Sequence, residues 1–70
     1  KRKPKEFKNL FDNKGEVVPN SALSYKEMLR RHNINIFDLK NEFGILDGMS
    51  KQALEQAEID VKYEGYIQSN

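Results

Sequence analysis

Apolar residues in the last third of the chain recur at helical spacing on two sides at once. At about 100° per residue, Leu54, Ala57 and Val61 fall on one stripe, while Ile59, Tyr63, Tyr66 and Ile67 fall on a second stripe opposite it. The pattern predicts a long helix that is capped by Ser50 and runs from Lys51 toward Tyr66 or Ile67. A core on one side accounts for the first stripe. The second is covered either by the preceding helices or by a partner outside the domain. Gly65, between Tyr63 and Tyr66, costs a helix interior on the order of 1 kcal/mol relative to alanine. Its presence there reads either as a close backbone approach or as a helix end already frayed.

The rest of the chain divides at its breakers. Pro4 stands near the first turn of a short helix in which Phe7, Leu10 and Phe11 repeat at i, i+3 and i+4, and Asn13, Lys14 and Gly15 stop it. Residues 16–23 have no helical period and contain Pro19, so they read as an extended connector, with Val17 and Val18 available to pin it to the core. Ser24 and Glu27 form a capping-box pattern, which opens a helix expected through Arg31. Asn33, Ile34 and Asn35 break that helix, and Asn35 caps the next, whose Ile36, Leu39, Lys40 and Phe43 repeat on one face before Gly44 closes it. A partly apolar loop, 45–49, leads into the last helix. With no convincing alternating strand, the expected fold is all-α: one domain over 1–70, a small orthogonal array of about four helices with a long C-terminal helix.

Size and composition narrow the function. A chain of 70 residues buries only around 60% of its unfolded surface, too little for a deep preorganised active site. It has no cysteine, which excludes thiolate chemistry and fits a reducing compartment. No apolar run approaches the ~20 residues that span a bilayer, so no membrane partner is expected. The net charge of +1 conceals an uneven spread. Lys1, Arg2, Lys3, Lys5, Lys8 and Lys14 outnumber Glu6 and Asp12 at the start, while acidic residues dominate after His32. Such a chain is dipolar rather than a uniformly basic nucleic-acid binder. It opens on Lys1, and we read it as a piece of a longer polypeptide.

Catalytic, cofactor-binding and metal-binding sites are not expected. Nucleophilic, acid–base or metal chemistry needs clustered groups, and the chain offers a single histidine. His32, beside Arg30 and Arg31 at a predicted helix end, reads as a cap that complements the helix dipole. The glycines are scattered at helix ends and make no phosphate-cradling loop. Arg30 and Arg31 can either grip phosphate oxygens or simply complement the negative end of their helix. Lys1, Arg2 and Lys3 are either solvated linker or contacts to a nucleic-acid backbone. Lys62, between the two apolar stripes, is either an interface cation or a side chain that snorkels over apolar surface.

The spacing Gln56-x-x-Ile59-x-x-Lys62-Tyr63-x-Gly65-Tyr66-Ile67 resembles the C-terminal motif of glucose-inhibited division protein A, the MnmG family of tRNA-modifying enzymes. Met28-Leu29-Arg30-Arg31-His32, followed by a short helix from Ile34 to Leu39, is similar to a Leu-Leu-Arg-Arg-Pro segment of the same family, with His32 in place of proline. Gln68-Ser69-Asn70 also departs from the Arg-Gln pair that many members carry. The resemblance covers residues 24–67 and, more loosely, the first helix. It implies a homodimeric, cytoplasmic parent enzyme that binds FAD, uses NADH and installs the 5-carboxymethylaminomethyl group on the wobble uridine of tRNA. It also implies a GTPase partner of the MnmE family, with no flavin chemistry in this segment, which would dock the GTPase and help bind tRNA. The residues so implied for partner or tRNA contact are Arg30, Arg31, Ile59, Lys62, Tyr63, Gly65, Tyr66 and Ile67. Two other readings stand beside this one. The helix pair after Ser24 and Asn35 could be a free-standing helix-turn-helix binder of nucleic acid, although Asp38 and Glu42 oppose Lys40 on its second helix. Or the domain could be purely structural, packing against its own enzyme.

Overall fold

The structure, a computed structural model, describes the backbone of residues 1–68 and the side chains of residues 1–64. Four helices follow one another: α1 (Pro4–Lys14), α2 (Tyr25–Leu29), α3 (Ile36–Phe43) and α4 (Lys51–Gln68). The described residues contain no strand, so the all-α expectation holds, with α4 the longest element.

Local signals set most boundaries. Pro4 opens α1, where its missing N–H costs nothing, and Gly15 closes it in the left-handed region at φ 73°. The Glu16 N–H then donates to the Phe11 carbonyl at 2.9 Å and satisfies an orphan acceptor of the last turn. The Ser24 and Glu27 side chains form the expected reciprocal cap of α2. Asn35 and Asp38 make the equivalent pair at α3, which Gly44 ends at φ 63°. The Ser50 hydroxyl accepts from the Ala53 N–H at the start of α4. α2 is shorter than expected: Arg30 is its cap rather than an interior residue, and Arg31 lies in the turn beyond.

The helices meet on one apolar core. Phe7, Leu10 and Phe11 from α1, Leu23 from the connector, Met28 and Leu29 from α2, Ile34 from the turn, Ile36 and Leu39 from α3, and Leu54 from α4 are all buried. The rings of Phe7 and Phe11 are tilted at a centroid distance of 4.7 Å, a favoured aromatic geometry. α4 packs across both α2 and α3, with Ala57 and Val61 against the core beside Leu54. Of the two connector valines, Val18 packs against the core while Val17 is exposed. Leu46 adopts φ 65°, a conformation that costs a residue with a Cβ roughly 1–2 kcal/mol. Its side chain packs against the core, and that burial offsets the strain.

One tertiary feature has no counterpart in the helical pattern. Arg2 and Leu23 form an antiparallel bridge through N–H to carbonyl bonds of 2.8 and 3.0 Å. The Arg2 guanidinium donates from Nε to the Tyr25 hydroxyl at 2.8 Å and sits 4.9 Å from the Phe43 ring centroid. Tyr25 and Phe43 contact each other at 5.4 Å. Arg2 therefore ties the N-terminal segment to α2 and α3 through a cation–π and hydrogen-bond clasp.

Leu54 is 1% exposed and is the residue that α4 buries most deeply. Leu54→Ala should destabilise the domain by about 2–5 kcal/mol through lost transfer energy and the residual cavity. Chemical denaturation of the wild-type and variant chains measures the difference.

Candidate functional site

The inward face of α4 carries charge as well as apolar surface, and that charge meets the corner between α2 and α3. That corner exposes backbone groups that neither helix can satisfy internally, because helix ends leave carbonyls and N–H groups without partners. Lys62 Nζ donates to three carbonyls there: Leu29 at 2.8 Å, Arg31 at 2.8 Å and Ile34 at 2.7 Å. All three ammonium protons are used. One turn earlier, Glu58 Oε1 accepts from the Ile36 N–H at 2.8 Å, the first residue of α3. Thus α4 sets a cation on the carbonyl end of α2 and a carboxylate on the N–H end of α3, each with the sign that the helix dipole favours. Glu16, from the connector, adds an acceptor for the Asn33 N–H at 2.9 Å.

Glu64 lies at the end of the described face. Its Oε2 accepts from Arg30 Nη2 at 3.1 Å and pairs with Lys26 Nζ at 3.3 Å. The hydrogen bond from Arg30, followed by that from Lys26, holds the Glu64 carboxyl below the usual carboxylate range. The Glu27 carboxyl is lowered as well, chiefly by the backbone N–H of Ser24.

The described residues of the opposite face of α4 are about half exposed. Ile59 is 48% exposed and Tyr63 54% exposed, whereas Ala57 and Val61 turn inward. Two clefts flank this face. The larger, about 450 Å³, is lined by Arg30, His32, Glu58, Lys62 and Tyr63. The other, about 390 Å³, is lined by Asn35, Phe37, Glu55, Glu58 and Ile59 and has no cation in its wall.

Of the residues singled out in the sequence, Arg30, Lys62 and Tyr63 meet in the larger cleft, while Ile59 lies in the smaller one. Arg31 is half-buried beside the corner, and its carbonyl is one of the three that Lys62 holds. The Lys62 ammonium is a polar staple between α4 and the corner. His32 is exposed in the turn beyond α2 rather than on the helix itself. α4 continues through Gly65 to Gln68, but the surroundings of Gly65 and the side chains of Tyr66 and Ile67 lie outside the described residues. Sequence reasoning missed Glu58 and Glu64. Their spacing from Lys62 and Val61 placed both at the edges of the inward stripe, yet a carboxylate there reads as solvated until the helix end it faces is known. Among the described residues no three histidine, aspartate or glutamate side chains gather as metal ligands do, and no helix is long and apolar enough to cross a membrane.

A small helical module, built around a two-faced final helix and an arginine-bearing corner, is the class that this fold and site define. The family model of the tRNA-modifying enzyme MnmG/GidA C-terminal helical domain matches residues 1–70. The chain belongs to that family. No solved structure matches the chain.

Replacing Lys62 with methionine keeps the apolar stem and leaves three corner carbonyls without their donor. Lys62→Met should destabilise the domain by about 2 kcal/mol, within the range for hydrogen bonds to a charged group, as measured by denaturant titration. Acid should act through the two lowered carboxyls. Their contribution is present above the ordinary carboxylate range and is lost as pH falls through their depressed values, so stability should decline below about pH 4.3. In Glu64→Gln that acid loss should be smaller, as a series of melts across the window would show.

Proposed function

We propose that this domain is the docking element of an FAD- and NADH-dependent, cytoplasmic and homodimeric enzyme that installs the 5-carboxymethylaminomethyl group on the wobble uridine of tRNA. On this reading the domain itself carries no catalytic, cofactor-binding or metal-binding residue. It binds the partner GTPase of the MnmE family and contributes to holding tRNA. The observation that carries the docking half is the exposure of Ile59 and Tyr63 on the side of α4 turned away from Leu54, Ala57 and Val61. A half-exposed isoleucine and tyrosine on one helix face, beside a cleft walled by Phe37, offer the kind of aromatic and aliphatic anchor that dominates protein interfaces. Tyr66 and Ile67 extend the same stripe in the sequence. The family's description as that of a tRNA-modifying enzyme supports the tRNA half, and Arg30, exposed at the cap of α2, is a cation that could serve it.

Charge weighs against the helix-turn-helix alternative. Asp38, in the first turn of α3, caps its own helix and pairs with Lys14 at 3.2 Å, and Glu42 is exposed on the same short helix. Such a helix would set carboxylates against the phosphates that line a groove. A purely structural role would leave the exposed face of α4 to other parts of the same enzyme.

In the full-length enzyme, Ile59→Asp should weaken association with the GTPase by more than about 1 kcal/mol, the usual threshold for a residue that matters at an interface. Flavin absorbance and the helical signal should not change. A titration curve that superimposes on the wild type would overturn the docking assignment.

A further inference from the structure

Glu64 Oε2 is a single oxygen with two cations converging on it, Arg30 Nη2 at 3.1 Å and Lys26 Nζ at 3.3 Å. Lys26 and Arg30 are four residues apart, at the beginning and the cap of α2, so a short helix holds both at fixed separation. Both cations are about half exposed, at 54% and 53%, so an external anion can reach them. Arg30 also forms part of the wall of the adjoining cleft of about 450 Å³, within the span of roughly 300–1,000 Å³ common to ligand sites. The other walls include His32 and Tyr63, aromatic residue types of the kind on which unpaired bases stack. Lys62 lies there too, but its ammonium already serves the corner carbonyls.

We propose that Lys26 and Arg30 form a binding subsite for one backbone phosphate of an unpaired RNA segment, with its base directed into the His32–Tyr63 cleft, and that Glu64 occupies this subsite until RNA displaces it. The inference rests on the tRNA half of the proposed function and adds to it the contact face and a built-in competitor. Two donors that share one carboxylate oxygen have the arrangement needed to share one phosphate oxygen, and phosphate brings further acceptors for the guanidinium fork. Glu58 lines both clefts, but the other one adds Glu55 and has no cation among its described lining residues, so it would repel the same backbone. The charge of the two clefts thus assigns RNA to the corner side and leaves the Ile59 side for protein.

The test titrates the full-length enzyme with unmodified tRNA at several salt concentrations. Lys26→Gln with Arg30→Gln is expected to weaken binding several-fold and to lower the slope of log affinity against log salt by roughly one, with GTPase association unchanged. Glu64→Gln is expected to tighten binding several-fold, and that gain should vanish once Lys26 and Arg30 are neutralised, because no occupied cations remain to be released. A gain that persists in that background reflects the loss of one negative charge anywhere and overturns the proposal. Loss of GTPase association with tRNA affinity intact also overturns it, since the cations would then serve an acidic protein surface. Lys3, Lys5 and Lys51 are exposed and line neither cleft, so replacing them with glutamine separates the two levels of the argument. If that variant alone weakens tRNA binding, RNA meets another face and only the subsite is wrong; if neither variant does, the RNA reading falls with it.

Discussion

The placement of α4 depends on the polar seam between its inward face and the corner that joins α2 to α3. Leu54, Ala57 and Val61 drive burial, but apolar contact is non-directional and would tolerate a helix rotated or shifted along its axis. Lys62 and Glu58 would not. Three carbonyls aimed at one ammonium, and one N–H aimed at a carboxylate a turn away, fix both rotation and register. The corner depends on them in return. α2 has only five residues, fewer than an isolated helix needs to persist, and its last carbonyls are completed from another element. The same seam gives α4 its two-sidedness, because a helix held by charge at the margins of one stripe presents the opposite stripe at a defined angle.

Most of the helical layout was legible in the sequence, for local reasons. Ser24 with Glu27 and Asn35 with Asp38 each close a hydrogen-bonded ring within four residues, so the signal needs no tertiary context. Gly15 and Gly44 mark the two left-handed caps for the same reason. The division of α4 into a stripe with Leu54, Ala57 and Val61 and an opposite one with Ile59 and Tyr63 followed from angular spacing, which left the cover of the second stripe open; the exposure of Ile59 and Tyr63 comes from the structure. Side-chain roles set by distant partners were not legible. Lys62 reaches carbonyls 28 to 33 residues away, and a carbonyl leaves no trace in the residue type that carries it. Arg2 looked like one member of a basic tail, yet the ring it lies over belongs to Phe43, at the end of α3. The end of α2 at Leu29 rather than Arg31 has the same origin: the turn is shaped by a donor from α4 and an acceptor from the connector, not by a breaker at its own position.

These long-range polar contacts are distributed with some economy. The described part of the molecule has no buried side-chain nitrogen or oxygen without a hydrogen-bond partner, and no polar residue belongs to the core itself. The ten buried apolar side chains among the described residues can specify that the chain collapses, but in a domain this small they leave several arrangements close in energy. Charged groups at the rim, each satisfied in only one arrangement, supply the missing discrimination. Arg2 does this for the N-terminal segment, Glu16 for the connector, and Lys62 with Glu58 for α4.

The charges around α2 and α4 differ in how firmly they are committed, and that difference separates structure from recognition. Lys62 is half-buried and saturated by three backbone acceptors, of which the Arg31 carbonyl also accepts from the Ile34 N–H at 3.2 Å. Displacing it would take a donor from all three carbonyls, a cost of the order of 1 kcal/mol or more for each one left unpaired in a partly buried site. Arg30, Lys26 and Glu64 form an exposed pair system instead, and such pairs contribute at most about 1 kcal/mol because water competes on equal terms. A weak, solvent-facing carboxylate over two fixed cations can be exchanged for another anion without disturbing the helix beneath. The seam that holds α4 and the surface that can change partners thus sit within three residues of each other, on opposite sides of the same apolar stripe.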